Sequence, residues 1–220
     1  MIDQIISTLS VSLVPLILAI TMHEAAHAWA ASIFGDDTAR RLGRMTLNPL
    51  PHVDPIGTIV LPGLMLAASV WGGVTNFIFG WAKPVPINAW RLSNPKRDMI
   101  WVALAGPASN FVQALAWLLV IKLVTSLPVE GILVEFVIST AVAGVKINFI
   151  LMAFNLVPIL PLDGGRELNA LLPSRWSMQF ERIERFGIVI VLLLAYVGLL
   201  NYYVKPIIDA CNAVSRFVLG

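Results

Sequence analysis

The chain has 220 residues, of which 58% are hydrophobic and only 13% are charged. Its mean hydropathy of +0.82 excludes an ordinary soluble globular domain and indicates that a lipid bilayer is the surrounding medium. The formal net charge of +2 comes from basic residues spread over connectors, which excludes a basic stripe for nucleic acid. A single cysteine, Cys211, excludes an internal disulfide and a cysteine zinc cluster.

Several apolar stretches are long enough to cross or enter a membrane, because a spanning helix needs about 20 apolar residues. They predict an all-α membrane protein with about five to six transmembrane or re-entrant segments. The segments between them are short connectors, so we expect a single integral-membrane domain over residues 1–220. In chain order the stretches lie near 5–34, 56–81, 99–125, 132–161 and 183–204.

The distribution of basic residues predicts the direction of most helices, because basic connectors stay on the cytoplasmic side. The connector 125–131 has no basic residue, so we expect it on the opposite side. Helix 99–125 then runs outward and 132–161 returns. The stretch 183–204 is expected to run outward and to leave a short external tail.

The stretch 56–81 does not fit this scheme, since it has basic flanks on both sides. It also contains Pro62 and several glycines, which disfavour a simple crossing. We expect it to be re-entrant or hairpin-like, with a short β-like loop between the first helix and the helix starting near residue 99. A pair of tight spans is the alternative.

One pattern in the first apolar stretch indicates chemistry: His23, Glu24 and His27 form an H-E-x-x-H motif. The i, i+4 spacing places both imidazoles on one helix face, where they can bind one zinc ion. Glu24 can then take a proton from the attacking water and pass one to the leaving amine. A polar patch in a helix bundle is the alternative, but three ionisable groups within five residues of a span require compensating partners.

Two histidines leave a catalytic zinc one protein ligand short, and Asp163 is the best candidate for the third. Pro158 and Pro161 break the returning helix just before it. The histidines lie two or three turns from the inner end of the first helix, so both ligand sets come from the inner half of the membrane.

Alternatives stay open for these positions. Asp163 has a purely structural alternative as a helix N-cap. His52 and Asp54, at the same cytoplasmic boundary, are rival third ligands.

Polar residues in the later spans have weaker interpretations. Gly106 and Asn110 are spaced i, i+4 and predict a packing and positioning element, with contact between Asn110 and the site as the alternative. Lys146 and Asn148 should face the bundle or a wet cavity, and a satisfied interhelical bond is favoured.

The motifs together resemble the site-2 protease family of intramembrane metalloproteases, over most of the chain. The resemblance implies a core of three helices and one zinc ion bound by His23, His27 and Asp163. It also implies Glu24 as general base and a hydrogen bond from Asn155 to the substrate or transition state. The motifs that carry it, besides H-E-x-x-H, are Gly106-Pro107-Ala108-Ser109-Asn110 and Asn155-x-x-Pro158-x-x-x-Leu162-Asp163-Gly164.

The short Asn48-Pro49 loop, the segment 80–86 and the absence of a PDZ or CBS domain resemble the compact prokaryotic branch of that family. The expected substrate is therefore a transmembrane protein cleaved in or near its membrane segment, in regulated intramembrane proteolysis. The expected location is a prokaryotic inner (plasma) membrane, with the active site toward the cytoplasm.

Two other classes of function stay open on the sequence. The first is a metal-binding membrane transporter or scaffold without protease activity, which would not need the Glu24 carboxylate as a base. The second is a membrane hydrolase acting on a lipid or a small peptide, for which the same zinc chemistry would suffice.

Overall fold

The structure is a computed structural model that describes residues 2–60 and 82–220. Over these residues the chain is helical and has no strand. Most of the stretch 56–81, including the expected β-like loop, lies outside the described residues. Its first residues belong to the π-helix Pro55–Val60.

The described helices follow one another with short connectors. Three short 3₁₀ segments, Leu50–His52, Ala89–Arg91 and Glu184–Phe186, punctuate them. The α-helices are α1 (Ile2–Ile33), α2 (Thr38–Arg41), α3 (Pro95–Ser126), α4 (Ile132–Asn155), α5 (Asp163–Leu171), α6 (Ser174–Ile183), α7 (Gly187–Tyr196) and α8 (Leu199–Leu219).

The core consists of α1, α3 and α4, each of which packs against the other two. Among the described residues these three helices are long and apolar enough to cross a membrane. Small residues line their contacts and allow close approach. At Gly144, for example, an added Cβ would lie 2.6 Å from the ring of Trp117. Large apolar side chains such as Leu13, Leu119 and Ile150 point outward, as expected for helices that face lipid.

The returning helix is shorter than the sequence predicted, because α4 ends at Asn155 and not at residue 161. The residues that follow form a turn that contains Pro158 and Pro161. Neither proline has a backbone N–H to donate to the preceding helical turn, and two such positions three residues apart strongly disfavour continuation of the helix. This turn ends where α5 begins.

The expected continuous span 183–204 with a short tail is wrong. The α7 helix ends at Tyr196, and Gly198 has φ +78°, a left-handed conformation that favours glycine. The chain bends by 81° there, and α8 returns to pack against α3 and α4. Its Cys211 lies in a buried cluster with side chains of both helices. With Ser174–Tyr196 and Leu199–Leu219 counted as one broken span, the described residues hold up to four candidate spans.

Candidate active site

His23 and His27 lie one turn apart on the same face of α1, and both are buried. Their Nε2 atoms are 3.0 Å apart. Asp163, the first residue of α5, places one carboxylate oxygen 3.1 Å from His23 Nε2 and the other 3.3 Å from His27 Nε2. Within residues 2–60 and 82–220, these three side chains form the one group of histidine, cysteine and acidic residues suited to hold a metal ion.

The turn between α4 and α5 explains how Asp163 reaches the histidines. Gly164 and Gly165 lie directly against the backbone of this turn, and an added Cβ would collide with Leu156 and Ile159 respectively. Because no side chain separates the two backbones there, the first turn of α5 lies close to the end of α4. The Asp163 carboxylate therefore points into the core.

The outer nitrogens of the two imidazoles have acceptor partners on α3. His23 Nδ1 lies 2.6 Å from Asn110 Oδ1, and His27 Nδ1 lies 2.7 Å from the carbonyl oxygen of Val102. The Asn110 amide nitrogen donates to Asn148 Oδ1 at 2.9 Å and to the Ala19 carbonyl at 3.3 Å. This network assigns the Asn110 oxygen to His23, so each imidazole donates through Nδ1.

The resulting donor set fits a zinc ion. With hydrogen on Nδ1, each neutral imidazole has a lone pair on Nε2, and both lone pairs face the Asp163 carboxylate. Acceptor atoms of three side chains thus converge with no hydrogen between them, and Asp163 Oδ2 is buried without a hydrogen-bond partner in the described chain. Their separations of 3.0 to 3.3 Å match the roughly 3.3 Å between ligand atoms of a tetrahedral zinc site.

Gly106 makes room for the imidazoles where α3 crosses α1. A Cβ at this position would lie 2.5 Å from Cε1 of both His23 and His27. The sequence suggested that Gly106 and Asn110 form a packing element, with contact between Asn110 and the site as the alternative. The structure places both residues directly against the histidines. A buried amide in an apolar span was the available signal for Asn110.

Glu24 lies half-buried beside the histidines and faces the irregular segment 82–88. Its Oε2 accepts a hydrogen bond of 2.7 Å from the Val85 backbone N–H. This bond orients the carboxylate and holds the segment next to the histidines.

Other residues singled out from the sequence lie elsewhere. The Asn155 side chain donates to the Leu151 carbonyl of its own helix at 3.0 Å. His52 is buried, with Nε2 3.1 Å from the Thr46 carbonyl, and Asp54 accepts from backbone N–H groups at the start of the π-helix. The two rival third ligands are therefore not part of the metal-binding group.

The electrostatics of α5 favour an ionised Asp163. In the metal-free chain burial alone would raise the pKa of Asp163, but His27 and His23 in their protonated form, with hydrogen on both ring nitrogens, outweigh burial and lower that pKa. One turn later, burial raises the pKa of Glu167, and the charge of Asp163 raises it further. Asp163 is therefore the anionic member of this group, and Glu167 favours its neutral form.

An H-E-x-x-H helix with a converging carboxylate, inside an all-helical chain with several candidate spans, defines a multi-pass membrane zinc metalloprotease. A family model described as "Peptidase family M50" matches residues 126–197. The chain is 36% identical over 202 residues to "Putative zinc metalloprotease YwhC" of Bacillus subtilis, an alignment that covers 90% of this chain and 85% of that protein. The chain belongs to peptidase family M50, the site-2 protease family.

A second relative is more distant. Over 185 residues the chain is 28% identical to "Putative zinc metalloprotease Rip2" of Mycobacterium tuberculosis, covering 84% of this chain and 66% of that protein. No solved structure matches the chain.

Proposed function

We propose that this metalloprotease hydrolyses a peptide bond in or beside a transmembrane segment of another membrane protein. The observation that carries the proposal is the depth of the metal-binding group within the candidate spans. His27 bonds to Val102, seven residues after α3 begins at Pro95, or about 10 Å along the helix. A scissile bond must therefore reach into the inner part of the helical core.

Each residue has a role in this proposal. One zinc ion per chain, held by His23, His27 and Asp163, would polarise the scissile carbonyl and acidify the attacking water. Glu24, oriented by the Val85 N–H, takes a proton from that water and delivers one to the leaving amine. Asn155 releases the Leu151 carbonyl and donates its amide hydrogen bond to the substrate or the transition state.

The substrate must unwind locally, because the carbonyl groups of a helix are engaged in its own hydrogen bonds. A cavity of about 710 Å³ supports a path for the unwound chain. Val85, the backbone partner of Glu24, lines it together with Leu160 from the turn before α5. Charges of both signs border it, at Lys96, Arg166, Glu181 and Glu184.

The proposed location is a prokaryotic inner (plasma) membrane with the site toward the cytoplasm. Lys96 and Arg97 lie at the start of α3, and the connector 127–131 at its other end has no basic residue. By the positive-inside rule the start of α3 is cytoplasmic. The metal-binding group is nearer to that end.

The test combines zinc analysis with cleavage of a transmembrane substrate by the purified chain in nanodiscs. Glu24→Gln is expected to keep one zinc ion per chain and to lose at least 100-fold in cleavage rate, because general base catalysis contributes about that much or more. Glu130→Gln, in the exposed connector after α3, is the matched carboxylate control and should cleave like wild type.

Two results would contradict the proposal. Full activity of Glu24→Gln would remove the carboxylate from the mechanism. Equal cleavage of a soluble peptide with the same scissile sequence would indicate a hydrolase of small substrates.

A further inference from the structure

The α8 helix presents a row of polar side chains that the rest of the described chain leaves exposed. Their spacing of three and four residues keeps them on one flank of the helix. None of the three charged members forms an ion pair within the described residues. We call Asn201, Lys205, Asp209, Asn212 and Arg216 the α8 polar row.

Two hydrogen bonds show that this row lies at the depth of the spans. Tyr203 Oη donates to the Leu156 carbonyl, just past the end of α4, at 2.8 Å. Lys122 Nζ, near the end of α3, donates to the Val218 carbonyl at 2.7 Å. These contacts lie at opposite ends of the α3–α4 pair, so α8 runs along the pair. Charged groups at this depth are unfavourable in lipid unless they are paired.

A second exposed row follows α4. Around this helix, Gly144 and Asn148 face α3. Val145 and Phe149 come next and share a buried cluster with Cys211 of α8. The next face around α4, beyond Val145 and Phe149 and away from α3, is exposed. We call its polar members Glu135, Ser139 and Lys146 the α4 polar row.

The two rows lie side by side. The α4 and α8 helices are antiparallel and both are right-handed. On each helix the polar row lies about a quarter turn from the contact face, in the direction of rotation toward the C-terminus. In an antiparallel pair this rotation brings both rows to the same side. Together the rows form one polar face at membrane depth, which the described part of the chain does not cover. The opposite flank of α8 carries Pro206, Ala210, Ala213 and Phe217, which suit lipid.

Along the membrane normal the α8 polar row has a negative charge followed by a positive one, whereas the α4 polar row has a positive charge followed by a negative one. Asp209 lies two residues, about 3 Å, from the level of Cys211. Lys146 follows Val145, which shares a buried cluster with Cys211, so Lys146 lies within about one helical turn of the level of Cys211. Toward the other end of the spans come Arg216 on α8, about 8 Å from this level, and Glu135 on α4, about 15 Å from it.

We infer that a second copy of this chain covers the polar face in a two-fold symmetric dimer. A two-fold axis along the membrane normal preserves depth and places α4 of one copy opposite α8 of the other. Asp209 then meets Lys146 of the second copy, and the long side chain of Arg216 extends toward Glu135 of the second copy. Each pair occurs twice. The partner is this chain because its own residues supply an opposite charge, Lys146, close to the depth of Asp209, and a second one, Glu135, about 7 Å beyond the level of Arg216.

Cross-linking tests this arrangement in nanodiscs and in mild detergent. Cys211 is the only cysteine, so a Cys211→Ala background carries Lys146→Cys in one tagged copy and Asp209→Cys in a differently tagged copy. A short bifunctional thiol reagent is expected to join the two tags. Ala210→Cys, one residue from Asp209 and on the opposite flank of α8, replaces Asp209→Cys as the matched control and should give roughly 10-fold less mixed product, because its side chain points away from the polar face.

Charge reversal provides the second readout. Asp209→Lys and Lys146→Asp are each expected to lower the dimer fraction at least 10-fold, measured by light scattering. The two changes combined in one chain restore both reciprocal contacts and should restore the dimer. These readouts do not depend on protease activity, so failure of the proposed function would leave them intact.

Three results would overturn the inference. The first is a monomer under all conditions. The second is a cross-link that forms between positions 146 and 209 of a single chain carrying both cysteines, without mixed-tag product. The third is cross-linking of Asp209→Cys to a transmembrane substrate with no dimer, which would assign the face to substrate.

Discussion

Substitution of Gly106 by alanine is the sharpest test of how the helix core sets the metal site. The added Cβ would lie 2.5 Å from Cε1 of both His23 and His27, whereas ordinary van der Waals contact begins at 3.4 Å. One or both imidazoles must therefore retreat by about 0.9 Å. Metal–ligand distances tolerate only about 0.2 Å of change.

The expected result is a loss of zinc affinity at the upper end of, or beyond, the 10- to 100-fold range known for partners that orient metal ligands. This range corresponds to about 1.4 to 2.8 kcal/mol. Competition with a chromophoric zinc chelator in detergent measures it directly. Cleavage should fall with zinc occupancy.

Gly144→Ala is the matched control, because its Cβ would collide with the Trp117 ring at 2.6 Å and so perturb packing without touching the histidines. It is expected to lower the melting temperature while the folded protein keeps its zinc affinity. If Gly106→Ala bound zinc like wild type, or if Gly144→Ala lost affinity equally, the reasoning from ligand displacement would be refuted.

Two further predictions concern the surroundings of the ligands. Asn110→Ala removes the acceptor from His23 Nδ1 and should weaken zinc binding about 10- to 100-fold, whereas Asn110→Asp keeps an acceptor and should retain most of the affinity in the same chelator assay. In the metal-free protein the pKa of Glu167 is raised, so the fold favours the protonated carboxyl group. Its contribution to stability is fully present below the unfolded pKa near 4.5 and is lost as pH rises through the pKa of the folded state. Glu167→Gln should therefore melt higher than wild type at pH 8 and equally near pH 4, and a constant difference would contradict this linkage.

The sequence could single out His23, His27 and Asp163, which the structure brings together, because its signals are local. The i, i+4 spacing of His23 and His27 determines their common face in any α-helix. Asp163 could be proposed because Pro158 and Pro161, three residues apart, disfavour a continuous helix before it. The contacts of Gly106 and Asn110 with the histidines were harder to predict, because they depend on where α3 crosses α1.

The prediction failed at the last helices for a different reason. Hydropathy stays high through residues 183–204, so a window average does not register the bend at Gly198. The charges of Lys205, Asp209 and Arg216 lower the hydropathy of the segment that follows, which led to the expectation of a short tail. In the structure this segment is a 21-residue helix, whose apolar flank packs on α3 and α4. Amphipathicity, and not mean hydropathy, was the informative property.

The hydrogen bonds around His23 divide the metal-binding group into two parts. Asn110 and Asn148 connect α1, α3 and α4 through buried amides, so the positions of the imidazoles follow from the packing of the three core helices. Asp163 alone comes from outside those helices, after the turn that follows Asn155. A displacement of that turn would move the carboxylate while the histidines stay in place. The turn before α5 is therefore the part of the site where zinc affinity can change without repacking the core.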